Sequence, residues 1–465
     1  MGFHDGQLPE SSLFIEEVAK IYGRSDCHCI RQAMDFAQAA PKEHFPTLIK
    51  VPQLLVEQKA DAPVVISSLL APLLWDHSLS LARIRTQFGK EIAALLEHFT
   101  LPPVSRTDTR GHRHHDTHRL LTSLGQDIRK TILVLAFRAI ALESRQQEEG
   151  GDIAREAEET LHYLVPIARR LNLGVLRRRL EDAAFRVLNP GIYEVLERQV
   201  APIRAEDAAC LEILQEATRR LLVKNGIKGQ VEGRIKSLYS IHCKMMRKGA
   251  GLDQILDRIG LRIIVDTVPE CYTVLGLLHS HFQPVPGGFD DYIGLPKDNG
   301  YQSLHTCVYP VRDISHKPIE FQIRTQLMHK EAEYGVAAHW RYKEELPPKA
   351  AGARQKSQWL KGLVGHHHET TTPEEFIQLL SQQVYAEHIV IFGQGGQIMR
   401  LGQNATVNHY LQKANPALSP QAVIKVNGQA VDRDHLLHDG DSIEIIEPGG
   451  PWKNGQPLDL GQGSW

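Results

Sequence analysis

No run of about 18 or more apolar residues occurs along the chain, and no secretory apolar core follows the N-terminus, so nothing reads as a membrane span or an export signal. The expected location is the cytoplasm. Charge of one sign is also missing: 53 Lys and Arg stand against 55 Asp and Glu, a formal net charge of -2. Without an overall basic field the chain is not a non-specific nucleic-acid binder, and any anion site must be built locally. The six cysteines, Cys27, Cys29, Cys210, Cys243, Cys271 and Cys307, are scattered with no CxxC pair, which argues against a zinc module. A Gly-rich loop ending in Lys-Ser/Thr is absent as well, so nucleotide phosphates would be held by side chains and not by a P-loop. The 465 residues suggest roughly three domains.

The polar chemistry gathers in residues 286–343. From Ile319 to Arg324 the alternation is strict, so a strand would send Ile319, Phe321 and Ile323 to one face and Glu320, Gln322 and Arg324 to the other. Before it, Tyr301, Ser303 and His305 share one parity after a turn made by Pro296, Asn299 and Gly300. Upstream, Lys236, Ser240 and Lys244 in GRIKSLYSIHCKM are spaced four apart, and on a helix they would form a stripe of two ammonium groups and a hydroxyl, led in by Arg234. Such a row suits a polyphosphate, although alone it equally describes a solvated helix face. The apolar alternation through Ile259, Leu261, Ile263 and Val265 marks another strand, with Asp257 near its start and Arg262 within it.

Together the strings GRIKSLYSIHCKM, FDDYIGLPKDNGYQSLHT and IEFQIRTQLMHKEAEYGVAAHW resemble the synthetase domain of the RelA/SpoT family, and weaker similarity runs from about residue 40 to about residue 447. The resemblance implies an α+β, nucleotidyltransferase-like synthetase domain with a mixed sheet. It also implies transfer of the β,γ-diphosphate of ATP to the 3′-hydroxyl of GDP or GTP, giving ppGpp or pppGpp and AMP. Carried onto this sequence, Asp257 and Glu320 would hold Mg2+, the kind of ion that takes one or two carboxylates beside phosphate oxygens and water. Arg234, Lys236, Ser240 and Lys244 would bind the donor nucleotide, and Arg262 would be a further substrate-binding residue. Tyr301 would stack on guanine, Lys297, Asn299 and His305 would line the acceptor, and Gln322 and Arg324 would support the metal carboxylate. His305 joins Asp257 and Glu320 as a candidate catalytic residue, with Glu320 a candidate proton acceptor. Where synthetase-only relatives have Glu-x-Asp-Asp, this chain has Gly288, Phe289, Asp290 and Asp291.

Residues 1–150 read as packed helices, the place of a metal-dependent HD hydrolase in the family. Aligning on Phe88 and Gly89 puts the expected His-Asp pair at Ala71 and Pro72 and the following acidic pair at Trp75 and Asp76. Aligning on Asp127, Ile128 and Arg129 puts the second ligand Asp at Phe137. Such residues cannot assemble the ligand set, so hydrolase activity is expected to be absent. The run from His112 to His118, and His366 to His368, read as loop and linker rather than metal ligands.

Residues 151–204 read as a helical connector broken near Asn172 and Gly174 and ended by Asn189 and Pro190, and residues 205–345 as the synthetase. A linker and helix over 346–385, a small β-grasp module resembling a TGS domain over 386–448, and a tail over 449–465 complete the expected order. In long relatives that module contacts tRNA on the ribosome, which leaves tRNA or ribosome contact open here. So do three further points: transfer to another acceptor such as an adenine nucleotide or a tRNA 3′ end, a silent nucleotide-binding regulator, and the oligomeric state.

Overall fold

The computed structural model describes residues 9–38, 45–97, 99, 127–145, 151–252, 255, 259–297, 299–309, 318–337, 359, 388–393, 397–402, 404–414, 422–438 and 440–446. Asp257, the histidine runs at 112–118 and 366–368, the linker apart from Trp359, and the tail lie outside the described residues. The chain forms two compact units, Met1–Leu380 and Ser381–Trp465. No described helix is long and apolar enough to cross a membrane.

The first unit opens with six helices: α1 (Pro9–Ile21), α2 (Arg24–Gln38), α3 (Phe45–Glu57), α4 (Ala62–Trp75), α5 (Leu81–Phe88) and α6 (Lys90–Leu96). After these comes α7 (Ile128–Ser144), apolar on nearly all sides and buried along its length. Asp127 caps α7 by accepting from the Arg129 amide, and Arg129 reaches Asp61 at the start of α4 and Glu91 on α6. One guanidinium thus ties three helix starts together, its charge held by three carboxylates.

The connector begins with α8 (Gly151–Glu159), widens into a π turn at Thr160–Leu164 and continues as α9 (Val165–Arg170). Pro166 cannot donate the hydrogen bond that would close an α turn onto His162, which favours the wider turn before it. Asn172 interrupts the helix in the left-handed region, φ 57°, a conformation Asn tolerates. Helix α10 (Gly174–Leu188) follows. Asn189 and Pro190 end α10 as expected, but Pro190 also starts α11 (Pro190–Lys224), because a proline at the first helical position sacrifices no intrahelical bond. The domain boundary expected at 204/205 therefore falls inside one unbroken helix.

Five strands form the sheet of the first unit: β1 (Gly229–Ile235), β2 (Ile259–Val265), β3 (Gln283–Asp291), β4 (Leu304–Tyr309) and β5 (Ile319–Thr325), in the order β1-β2-β5-β4-β3. β2 and β5 run parallel and the other neighbours antiparallel, so the sheet is mixed. Three helices accompany it: α12 (Leu238–Lys248), α13 (Val268–His281) and α14 (Gln326–Tyr334). As the alternation predicts, Ile319, Phe321 and Ile323 bury one face of β5 with Leu261, Ile263, Leu304 and Val308, against Val274 and Leu278 of α13 and Leu214 of α11. The opposite face is left to polar side chains.

The second unit has β6 (His388–Phe392) paired with β7 (Ile398–Gly402), α15 (Val407–Ala414), and a sheet of β8 (Val423–Val426), β9 (Gln429–Ala430) and β10 (Ile443–Ile446). The turn at Asn427 and Gly428 is a two-residue hairpin with both residues at positive φ, 51° and 82°. Asn427 holds it by bonding Asp441 and the Ser442 amide.

Candidate active site

The polar face of the sheet carries one continuous hydrogen-bond chain. His305 on β4 stands opposite Gln322 on β5 in the register. Its Nδ1 lies 3.0 Å from Glu320 Oε1, and its Nε2 lies 2.8 Å from the Tyr301 hydroxyl. A carboxylate only accepts, so Nδ1 carries the proton, and in a neutral ring Nε2 accepts from Tyr301. Gln322 donates to the same Glu320 oxygen at 3.4 Å and accepts from Arg234 Nη1 on β1 at 3.3 Å. Gly260 separates Arg234 from Glu320 in the register, and a Cβ there would come within 3.0 Å of the Glu320 carbonyl oxygen. Arg234, Lys236, Glu320 and Gln322 line an open depression over Ile259, Gly260 and Leu261.

Burial alone would push the Glu320 carboxyl up. The hydrogen bond and charge of His305, the nearby Lys236 ammonium and the Gln322 amide outweigh it and hold the group down at about 2. A carboxylate fixed in its charged form is the kind of ligand that a hard divalent cation takes beside phosphate oxygens. Asp257, expected as its partner ligand, lies outside the described residues. The same low value makes Glu320 a poor proton acceptor.

Of the residues expected on the acceptor side, Lys297, Asn299 and Tyr301 sit in the loop between β3 and β4, and His305 lies on β4. Lys297 Nζ lies 4.1 Å from the centre of the Tyr292 ring and 5.7 Å from that of Tyr301, and burial followed by the Arg169 charge lowers its pKa. Tyr292, which the sequence reading left out, also meets His305 edge-on at 5.2 Å. Asn299 differs from its expected role. Its Oδ1 accepts from the Tyr301 amide and its Nδ2 donates to the Arg169 carbonyl, so the side chain is engaged with protein.

Three more placements depart from expectation. Lys236 lies before the helix, because Ser237 caps α12 by accepting from the Ser240 amide; only Ser240 and Lys244 are on α12 itself. Arg324 shares the β5 face with Glu320 but does not support it. It is fully buried, and its Nη2 meets Glu333 Oε1 and His329 Nδ1, each at 3.1 Å. Arg262 likewise turns to Glu333, at 2.7 Å, and to Glu232, at 3.4 Å. The reason is α14, which starts directly after β5 and brings Glu333 back over the sheet. Arg178 of α10 adds a third guanidinium at 3.0 Å. Burial opposes ionisation of Glu333, but Arg262, Arg178 and Arg324 hold its carboxyl well below the usual range. His329, half-buried beside Arg324 and Arg262, is depressed to about 3 and therefore neutral. Among the described residues, the buried Nε of Arg262 and both Nε and Nη1 of Arg324 have no hydrogen-bond partner. Glu333 was legible only as the acid in AEYG, and Arg178 only as one of four arginines on an amphipathic helix.

Gly288 also has a local cause. A bulge between Pro284 and Phe289 folds β3 so that a Cβ at Gly288 would lie 3.0 Å from both Cys307 Cβ and Val285 O. Asp291 accepts from the Ile293 and Gly294 amides and from the Tyr272 hydroxyl, closing the turn that leads to Lys297.

In the helical part, the positions expected to ligate metal hold a hydrophobic contact. Trp75 meets Phe137 edge-on at 5.0 Å and stacks on Phe99 at 5.9 Å, and its Nε1 donates to the Phe99 carbonyl. Ala71 is fully buried, and Asp76 faces solvent and caps the Ser78 amide.

Residues 233–346 match the model described as the region found in RelA/SpoT proteins, residues 27–174 an HD domain, and residues 368–450 the ThiS family. A guanosine-3′,5′-bis(diphosphate) 3′-pyrophosphohydrolase of Aquifex aeolicus is 35% identical over 84% of this chain and 56% of its own. A GTP pyrophosphokinase of Myxococcus xanthus is 32% identical over 86% of this chain and 53% of its own. The chain thus spans about half the length of these curated relatives. Among solved structures, small alarmone synthetase 1 of Bacillus subtilis bound to its product pppGpp is 25% identical, covering 37% of this chain and 96% of that one at a TM-score of 0.27.

Proposed function

Starting from a chain that belongs to the RelA/SpoT family, with its RelA/SpoT region, HD domain and ThiS-family domain, we propose that it is an ATP:GDP/GTP 3′-diphosphotransferase. The observation that carries this reading is the chain of bonds from Tyr301 through His305, Glu320 and Gln322 to Arg234, with cations at both ends. On this reading a charged carboxylate stands between a donor side (Arg234, Lys236, Ser240, Lys244) and an acceptor side (Lys297, Tyr301). In the reaction the acceptor 3′-oxygen bonds to the β-phosphorus of ATP as the bridge between the α- and β-phosphates breaks. AMP leaves with the bridging oxygen and its electron pair. Catalysis of such a step rests mainly on positioning and on neutralising charge.

Glu320, with Asp257, would hold magnesium, which supplies positive charge to the phosphate oxygens. Glu320 is ionised too firmly to take the hydroxyl proton, so we assign that proton to His305 Nε2 by way of the Tyr301 hydroxyl that donates to it: Tyr301 passes its own proton to Nε2 as its oxygen takes the one from the 3′-hydroxyl. Lys236 and Arg234 neutralise the moving diphosphate, and Lys297 the acceptor's phosphates. We assign no hydrolase activity, since Trp75, Phe99 and Phe137 fill the space where ligands were expected. ATP and guanosine nucleotides as substrates imply a cytoplasmic reaction.

The test is incubation of the purified protein with labelled ATP, magnesium and GDP or GTP. Equal release of AMP and a 3′-diphosphorylated guanosine nucleotide is the expected result. AMP with no guanosine product would move the reading to another acceptor, and no ATP consumption at all would move it to a silent regulator.

A further inference from the structure

The loop that carries Lys297 and Tyr301 is not held by the sheet alone. Its internal bonds are short: the Gly300 amide donates to the Lys297 carbonyl at 2.7 Å, and Lys297 N to the Tyr301 carbonyl at 3.1 Å. Gly300 sits at φ 77°, which a side chain would resist. Beyond these, the loop is clasped from outside by the elbow between α9 and α10. Asn172 Nδ2 donates to the Asn299 carbonyl at 3.0 Å, and Asn299 Nδ2 donates to the Arg169 carbonyl at 3.1 Å. The two amides are thus reciprocal: each residue's side chain bonds backbone of the other's segment.

The same elbow grips the end of α14. Val336 N donates to the Leu171 carbonyl, and a Cβ on Gly335 would fall 2.0 Å from that oxygen, so only a glycine permits the approach. Behind it, the buried Gln58 accepts from the Leu176 amide and donates to the Glu333 carbonyl, each at 3.1 Å. The elbow is therefore a rigid corner, fixed to both the helical part and the sheet. Asn172 is itself buried, and its left-handed backbone is one that Asn and Gly adopt readily.

We propose that Asn172 and Asn299 are positioning residues that set the acceptor loop from the connector, so that the connector is part of the synthetase site and not only a spacer before it. This inference rests on the assignment of Lys297 and Tyr301 to the guanosine acceptor. Asn299 touches no substrate in this scheme. Its Oδ1 shapes the turn at Tyr301 and its Nδ2 fixes that turn to Arg169. With the clasp intact, Tyr301 keeps its hydroxyl on His305 and Lys297 stays beside both phenol rings.

Two measurements on the full chain test it. Asn172→Gly keeps the backbone angle but loses the amide. Asn172→Asp keeps an Asn-like shape and an oxygen but cannot donate to the Asn299 carbonyl. Loss of one buried donor should raise KM for GDP about three- to tenfold, with KM for ATP unchanged and melting temperature little affected. In parallel, backbone amides at 297–303 should exchange with solvent faster in both variants while those of β5 do not. The exchange readout does not depend on what the acceptor is. If the wild-type protein makes no guanosine product yet the exchange rises only in this loop, the functional reading fails and the positioning inference stands. Unchanged exchange at 297–303, or KM values for GDP and ATP rising together, would overturn the inference.

Discussion

Trp75 and His305 sit at corresponding points in two parts of one unit, each at the centre of a place where family chemistry is expected, and their surroundings are opposite. Around Trp75 the contacts are aromatic: Phe137 and Phe99 pack against it, and its one polar atom bonds a backbone carbonyl. Around His305, beside the edge-on rings of Tyr292 and Tyr301, they are hydrogen bonds to a carboxylate and a phenol, and the carboxylate is bonded in turn by the Gln322 amide. Both arrangements satisfy their polar atoms, but only the second keeps a charge where a ligand could meet it. A buried polar network that no longer served a reaction would cost stability unless fully satisfied, and aromatic filling avoids that cost. The orphaned guanidinium donors of Arg262 and Arg324 show that the sheet side still tolerates incomplete pairing.

The comparison breaks most visibly at Glu320. Glu320→Gln keeps shape and hydrogen-bonding capacity but removes the charge, and we expect turnover to fall by on the order of 10³-fold, with unchanged circular dichroism. A variant near the wild-type rate would mean that the charged face is not the reacting one. Next come paired stability effects. Glu333→Gln leaves three guanidinium groups around a neutral amide, two of them buried, and should cost about 3–5 kcal/mol in urea unfolding while also lowering the rate. Phe137→Ala opens a cavity beside Trp75 and should cost about 3–5 kcal/mol as well. For Phe137→Ala the rate of the folded fraction should hold, since the aromatic cluster is assigned no role in diphosphate transfer.

Much of this was legible from the chain itself, for reasons that differ by region. Alternation in Ile319–Arg324 gave the strand and its two faces correctly because one face is core and the other is not. Alternation could not say where a long side chain ends up once it leaves the face. Arg324 and Arg262 lie on the expected strands yet turn to Glu333, an acid that reaches them only because α14 doubles back after Thr325. Helical spacing similarly placed Lys236 on α12, whereas the Ser237 cap starts the helix at Leu238; a Ser before Leu238 was the available signal. The clasp between Asn172 and Asn299 joins residues 127 apart in sequence, and nothing local to either announces it. The break at Asn172 was visible, but what the break is for was not.

A smaller effect sharpens the contrast without abolishing either side of it. Glu320 has an ordinary carboxyl value of 4.5 that the fold lowers to about 2, despite burial, largely through His305. Its ionised form is therefore favoured in the folded state, and the stability this contributes is fully present above about 4.5 and is lost as pH falls toward about 2. Removing the imidazole by His305→Ala takes away both the hydrogen bond and the nearby charge, while burial remains and pushes the other way. The carboxyl should then titrate upward, to its ordinary value or beyond. Residual activity in His305→Ala should accordingly show an acid limb displaced toward neutral pH, where the wild-type limb assigned to this group lies far lower. His305→Gln, which can still donate to Oε1, should recover part of the displacement but not the proton transfer. An acid limb that stays where it was in His305→Ala would mean that Lys236 and Gln322 suffice to hold the charge, and would move His305 from the centre of the site to its margin.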